Sequence, residues 1–466
     1  MRAMTILEKL LLPEIRELIH SKDLDILRDV LNRWLPADLA DLLADLQAYE
    51  DIVAFECLKP ELSARAFEHL PRADQLEFVR ILPEARLQDI LNEMKPDDRT
   101  ALLEGLPVDE VERLLTLLAA DNQRIARSLL SYGAGTVGRL MTPEFIEVKE
   151  SWNIAQVLDH VRKVGKDSET LGALYVADGE HHLIDDIRMR QILLAQPQTT
   201  IGELMNRQFV ALKVTDTEAT AVELFRKYDR TVLPVVDRRG VLLGVVTIDD
   251  VLDVAEETAT REIQKFGGLE ALDEPYVATP VFELVYKRGT WLTVLFLGEM
   301  LTASAMGFYE GEIKNAVVLA MFIPLIISSG GNSGSQAATL IVRALAVQEI
   351  TLDDWWLVMR REMLSGLVLG LHLGIIGFVR IAIWSFIFPD LYTQYWPLVG
   401  LTVAISLVFI VLWGTLSGSM LPFLIKGAGL DPATSSAPFV ATLVDVTGLV
   451  IYFSVAYVVL SSTLLS

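Results

Sequence analysis

Two stretches of this sequence carry cation-binding groups where a chain seldom tolerates them. In Pro438-Phe439-Val440-Ala441-Thr442-Leu443-Val444-Asp445-Val446-Thr447-Gly448 a single carboxylate interrupts a long apolar run. Thr442 stands three residues before Asp445 and Gly448 three after it, so on a helix the three share one face. A proline and a glycine on that helix permit close packing and a freed backbone carbonyl beside the acid. The other stretch, Ser328-Ser329-Gly330-Gly331-Asn332-Ser333-Gly334-Ser335-Gln336, sets three glycines and six hydroxyl or amide side chains in a second apolar run. Against lipid those groups would be wasted. They suit a water-filled path or a tight helix seam, and Asn332 and Gln336 favour the path.

Ionisable groups inside membrane-length runs are costly and mark function. Here they are Glu299, His372, Arg380 and Asp445. Arg380 is the partner that would reduce Asp445 to a structural role. Glu299 either borders the polar path or rests neutral at an interface, while His372 and Arg380 suit interfaces or snorkelling positions. The runs lie at 288–308, 315–341, 363–388, 397–425 and 438–462, each near or above the roughly 20 residues that cross a bilayer as a helix. Lys287 and Arg288 precede the first, Arg343, Arg360 and Arg361 flank the second connection, and Lys426 sits in the fourth; 308–313 and 389–396 hold no base. Basic residues thus alternate sides, which predicts a multi-pass protein of the plasma (inner) membrane with its N-terminus cytoplasmic and its C-terminus external.

The composition agrees with a split chain. A net charge of -22 coexists with a mean hydropathy of +0.39 because acidic residues crowd the first part and apolar runs the second. Acidic excess argues against nucleic acid, which rewards lysine and arginine, and suits a small cation as partner. Cys57 is the single cysteine, so no internal disulfide or cysteine zinc site can form. The first residues break their apolar stretch with charges and lack a signal-peptide core. No HExxH pair, G-x-S-x-G elbow or phosphate-binding GxxxxGK[ST] loop appears, which argues against an enzyme.

Between residues 22 and 120, Pro60, Pro71, Pro83, Pro96 and Pro107 recur about every 12 residues. Proline suits the first turn of a helix, and acids after it (Glu84, Asp97, Asp98) complement the helix dipole. Such units stack into a small α-superhelix. Further on, 140–148 is echoed by 204–212, each copy leading into an amphipathic helix and a strand pair. The second copy is plain: Thr231 to Asp237, a turn at Arg238-Arg239-Gly240, then Val241 to Thr247. This pattern resembles a tandem pair of CBS modules. The first copy is degenerate, with Ile184-Asp185-Asp186-Ile187 set against Gly244-Val245-Val246-Thr247.

Gly330 through Gln336, taken with Pro438 through Gly448, resembles the MgtE family of Mg²⁺ channels or transporters. The resemblance implies a helical superhelix N domain (1–130), tandem CBS modules of α+β type (138–254), a connecting plug helix (255–285) and an all-α transmembrane domain of five helices (286–466). It implies a homodimer whose pore lies on the twofold axis, lined by the second and fifth spans. Asp445 would be the ion site, with the Ala441 carbonyl, Thr442 and Asn332 close by and Gly330, Gly331, Ser333, Gly334, Gln336, Pro438 and Gly448 shaping the path. Mg²⁺ dehydrates reluctantly, so a pore can hold the hydrated ion through water-mediated contacts.

The same resemblance makes the acidic stretch after the second module a sensor, in which cytoplasmic Mg²⁺ on Asp249, Asp250, Asp253, Glu256 and Glu262 screens repulsion and holds the closed state. Thr258 and Arg261 stand where the resemblance implies acids. Thr247 with Asp250 matches a hydroxyl–aspartate pair that holds the ribose of an adenine nucleotide in many CBS modules, so ATP is a candidate ligand. An exporter or ion-coupled exchanger on the same fold remains open.

Overall fold

The structure, a computed structural model, describes residues 6–461 and 463 apart from 48, 167, 273–275, 277, 278, 316, 348 and 389–393. The base-free connection expected at 389–396 therefore lies mostly outside the described residues. The chain divides into two compact units, Met1–Glu257 and Thr258–Ser466.

The first unit begins as a helical array. Pro60–Glu68 and Pro96–Glu104 start on their prolines, whereas Arg72–Ile81, Glu84–Glu93 and Val108–Leu117 start one residue after theirs. Proline's fixed φ also fits the extended residue before a helix, so the expected first-turn placement holds at two of the five positions. Leucines and the edge-packed rings of Phe55, Phe67 and Phe78 fill a continuous core. Polar side chains tie successive helices: Asn32 accepts from the Lys59 amide at 2.8 Å, Glu68 from Lys95 at 3.0 Å and Asn92 from Ala119 at 2.7 Å. Each bond satisfies an amide at a helix start that has no partner within its helix.

Two three-stranded sheets follow. β1 (Glu147–Val148) pairs in parallel with β2 (Ala173–Ala177), which pairs antiparallel with β3 (Leu183–Arg188). β4 (Leu212–Lys213), β5 (Val232–Val236) and β6 (Leu242–Thr247) repeat that order, and each hairpin carries a register irregularity at the same place. The duplication is therefore structural. The registers also correct its alignment: Asp185 faces Val176 as Gly244 faces Val235, so Asp185-Asp186-Ile187-Arg188 is the counterpart of Gly244 to Thr247. Ala173, Tyr175 and Leu183 share a core with Val232, Leu242 and Val245, joining the two modules.

Ile248–Phe266 carries the chain into the second unit, where five helices are long and apolar enough to cross a bilayer: Val281–Phe308, Val317–Ala346, Leu352–Ile387, Trp396–Gly427 and Ala437–Leu460. The first and third begin earlier than the apolar runs because helix continues through the charged turns at Lys287-Arg288 and Arg360-Arg361-Glu362. The second is interrupted between Ala320 and Ile323, where Pro324 has no amide to donate to the Ala320 carbonyl; beside the break the Leu319 carbonyl accepts from the Phe322 amide at 3.1 Å and from the Tyr452 hydroxyl at 2.9 Å.

The spans alternate direction. Trp291 meets Ser436, Gly298 meets Thr442 and Tyr309 stacks on Phe453, so the first and fifth run parallel. Gly331 against Ala441 and Ser335 against Ala437 make the second antiparallel to the fifth. Gly366, Gly370 and Gly374 lie against Thr415, Val408 and Ala404, so the third opposes the fourth.

Candidate functional site

Asp445 sits on the fifth span where glycine lets the second come close. A Cβ on Gly331 would lie 3.3 Å from the Asp445 Oδ1 and 3.4 Å from the Ala441 Cβ, so the missing side chain leaves the acid room. Asp445, Ala441 and Thr442 are half-buried, and Thr442 packs beside Gly298 of the first span while donating to the Pro438 carbonyl at 3.1 Å. Gly448 is buried against Ile410 of the fourth span. Arg380 does not pair with Asp445: it is exposed on the third span with its guanidinium 5.4 Å from the Trp384 ring centre. His372 is likewise exposed. Glu299 of the first span lies close enough to Asp445 for the two charges to interact.

The polar cluster of the second span has two faces with different jobs. Gly330, Ser333 and Gly334 are buried: the Ser333 hydroxyl is 2.7 Å from that of Thr415, and the Gly330 and Gly334 carbonyls abut Gly414 and Gly418. These three residues make a packing seam with the fourth span. Ser328, Asn332 and Gln336 recur at four-residue spacing and are all exposed, and Asn332 donates to Ser328 at 3.3 Å. A membrane-length helix thus presents a polar stripe that nothing among the described residues covers.

The acidic stretch behaves differently along its length. Asp249, Asp253, Glu256 and Glu262 are exposed on the helix Ile248–Phe266. Asp250 turns inward, accepting the Thr247 hydroxyl at 2.5 Å. It faces a set of acids that the sequence did not single out as a site: buried Asp97, half-buried Asp98, and Glu169, whose partner is Lys95 at 2.7 Å. Burial, then the neighbouring charges of Glu68 and Asp250, push the Asp98 carboxyl up to about 7. Burial pushes Asp250 to about 6 against the lowering hydrogen bond from Thr247, and holds Asp97 well above the ordinary range. The available signal was the run Pro96-Asp97-Asp98, which serves equally as a helix start. Among the described residues, no three His, Cys, Asp or Glu side chains converge as a metal cage. In the second unit, Lys265 pairs with Asp431 at 2.8 Å and Phe266 packs near Ala338 and Val440; Glu262 is pushed up by burial and by Asp431, with Lys265 opposing.

Where the two modules meet, a cavity of about 350 Å³ is lined by Arg188, Arg190 and Asp186 of the first and Gln208 and Arg230 of the second. A smaller one of about 140 Å³ shares Arg188 and Arg230. The Arg230–Asp186 pair closes at 2.8 Å, and the buried Tyr175 hydroxyl, within electrostatic reach of both, has no hydrogen-bond partner among the described residues. Thr247 and Asp250 do not line either cavity.

A family model described as a divalent cation transporter matches residues 323–455, and one described as the MgtE intracellular N domain matches 34–135. The magnesium transporter MgtE of Thermus thermophilus is 36% identical over 462 residues, spanning 98% of this chain and 100% of that protein. The chain belongs to the MgtE family. Its members are transporters, not enzymes, and this one is a multi-pass membrane protein. The MgtE of Enterococcus faecalis is 31% identical, over 71% of this chain and 70% of its own. A solved structure described as the cytosolic domain of the Mg²⁺ channel MgtE in complex with ATP is 33% identical, with a TM-score of 0.50, covering 52% of this chain and 99% of that one. The soluble part of a magnesium transporter, 23% identical with a TM-score of 0.51 over 54% of this chain and 99% of its own, shares the fold. A CBS model matches 201–257, the copy that keeps Gly244 and Thr247 where the first MgtE module has Asp185 and Arg188.

Proposed function

We propose that this chain mediates Mg²⁺ uptake as a gated, channel-like transporter. Two copies meet on a twofold axis, with the second and fifth spans lining one pore and Asp445 of each copy as its ion site. The observation that carries this reading is the half-buried Asp445 beside Gly331, on spans whose exposed Ser328–Asn332–Gln336 stripe needs water or a second copy to cover it. Paired carboxylates repel when empty, and a divalent cation relieves that repulsion better than Na⁺ or K⁺. A weak, water-mediated site also lets the ion leave. The N-terminus lies in the cytoplasm and the C-terminus outside.

Closure follows cytoplasmic Mg²⁺. Repulsion among Asp250, Asp97, Asp98 and Glu169, and along Asp249, Asp253, Glu256 and Glu262, falls when divalent ions bind. The Lys265–Asp431 pair then holds the connecting helix near the start of the fifth span. A ligand shifts such an equilibrium only through differential affinity for the two states. ATP occupies the arginine-lined cavity, where Arg188, Arg190 and Arg230 suit a polyphosphate. A cytosolic domain 33% identical to this chain binds ATP, which supports a nucleotide on these modules, with Thr247 and Asp250 as the alternative site.

The test is Mg²⁺ flux into proteoliposomes carrying wild type or Asp445→Ala. Wild type should pass Mg²⁺ down its gradient with no coupled ion, and the variant should fall to background. Retained selective flux in the variant would overturn the assignment, and a required counter-ion would favour an exchanger.

A further inference from the structure

Glu299 is the membrane carboxylate that the pore reading does not use. It lies in the first span, a helix of which only 6% of the apolar window is buried, against 56% for the fourth. The contacts that span does make fix its register. Trp291 with Ser436, Gly298 with Thr442 and Tyr309 with Phe453 run in parallel step, so Glu299 stands within a turn of the level of Asp445. The approach is tightest there: a Cβ on Gly298 would lie 2.8 Å from the Thr442 Cγ2, and Thr442 is one turn from Asp445 on the same face.

A second observation lies at the same level. Thr302, one turn beyond Glu299, is only 5% exposed, yet its hydroxyl has no hydrogen-bond partner among the described residues. A buried hydroxyl without a partner and an exposed acid with no ion pair, both among the described residues and one helical turn apart, mark a polar locus rather than a lipid face. Arg380, the base that could have neutralised Glu299, is engaged by Trp384 instead.

We infer that Glu299 is a second carboxylate of the ion pathway, a specificity-determining residue that shares the hydrated divalent cation with Asp445. The inference rests on Asp445 being the ion site and adds the first span to the pathway. With one such acid per copy, four carboxylates attend one passing ion. The added negative charge attracts a divalent cation about twice as strongly as a monovalent one at equal distance, so its effect falls on selectivity as well as on occupancy.

The experiment compares full-length wild type, Glu299→Gln, Glu299→Asp and Asp445→Asn in proteoliposomes, measuring Mg²⁺ flux against Mg²⁺ concentration and the ratio of Mg²⁺ to K⁺ flux. Glu299→Gln removes a charge from an apolar span and keeps the shape, so insertion is not at risk. It should raise the half-saturating Mg²⁺ concentration about threefold to tenfold and lower the Mg²⁺/K⁺ ratio by a similar factor. Glu299→Asp should recover most of both. Wild-type saturation and selectivity in Glu299→Gln, with Asp445→Asn inactive, would overturn this inference and leave the pore reading standing. An active Asp445→Asn would overturn both.

Discussion

The two units treat their awkward carboxylates in opposite ways. In the first unit Asp97, Asp98, Asp250, Glu68 and Glu169 crowd near Lys95, and burial raises several of them far above the ordinary carboxylate range. In the second unit the half-buried Asp445 stands beside a glycine, with no base paired to it among the described residues. Crowded, buried acids repel one another, and a proton or a cation relieves that repulsion. A less crowded carboxylate site would bind an ion weakly and release it quickly, as the proposed conduction requires. A third arrangement, Asp186 with Arg230, shows a carboxylate neutralised for good within the fold.

Substitutions can break this contrast, beginning with the largest effect. Asp445→Asn should abolish flux while leaving the Mg²⁺-dependent protection of residues 1–257 from proteolysis unchanged; loss of both would mean the two acidic regions are not separable. Arg230→Ala strands a buried Asp186 and should cost about 3 kcal/mol of stability in denaturant titration, with ATP binding lost in isothermal calorimetry. Asp97→Asn with Asp98→Asn should stabilise the Mg²⁺-free soluble unit by about 1–2 kcal/mol and remove most of its thermal response to Mg²⁺.

Acidity should sharpen the same point. Asp98 and Asp250 hold protons more tightly when folded than when unfolded, so over the window between about 4 and 7 the folded state binds more protons. Their contribution to stability therefore falls as pH rises through that window and is fully unfavourable above it. Without Mg²⁺, the melting temperature of the soluble unit should rise as pH is lowered from 8 to 6. With Mg²⁺ the slope should flatten. The smallest effect belongs to Ser333→Ala, which removes one buried hydrogen bond and should cost about 1 kcal/mol with little change in flux.

Much of this plan was legible in the residues. Span number and alternation follow from run length and the placement of Lys and Arg, because a bilayer leaves the backbone few choices. That the second and fifth spans meet follows from the resemblance carried by two polar motifs, while Gly331 as the residue beside Asp445 emerged only from the packed helices. Other features required tertiary contacts. Nothing local tells that Asp97 meets Asp250, since a proline followed by two aspartates is an ordinary helix start. The one-residue shift between the CBS copies is likewise invisible without strand partners, and it decides that Arg188, not a hydroxyl, stands opposite Thr247. The division of the glycine-rich cluster into a seam and a stripe depended on where the fourth span packs.

That seam constrains how a pore of this kind could move. With Gly414 and Gly418 seated directly against the Gly330 and Gly334 carbonyls, the second and fourth helices interlock backbone to backbone, and sliding either past the other would drive main-chain atoms together. In the proposed pore they would serve as a stator. Opening strokes are left to the sparsely covered first helix, the fifth and the segment feeding into them, so a cross-link between the second and fourth spans should leave conduction intact where one between the first and fifth would arrest it.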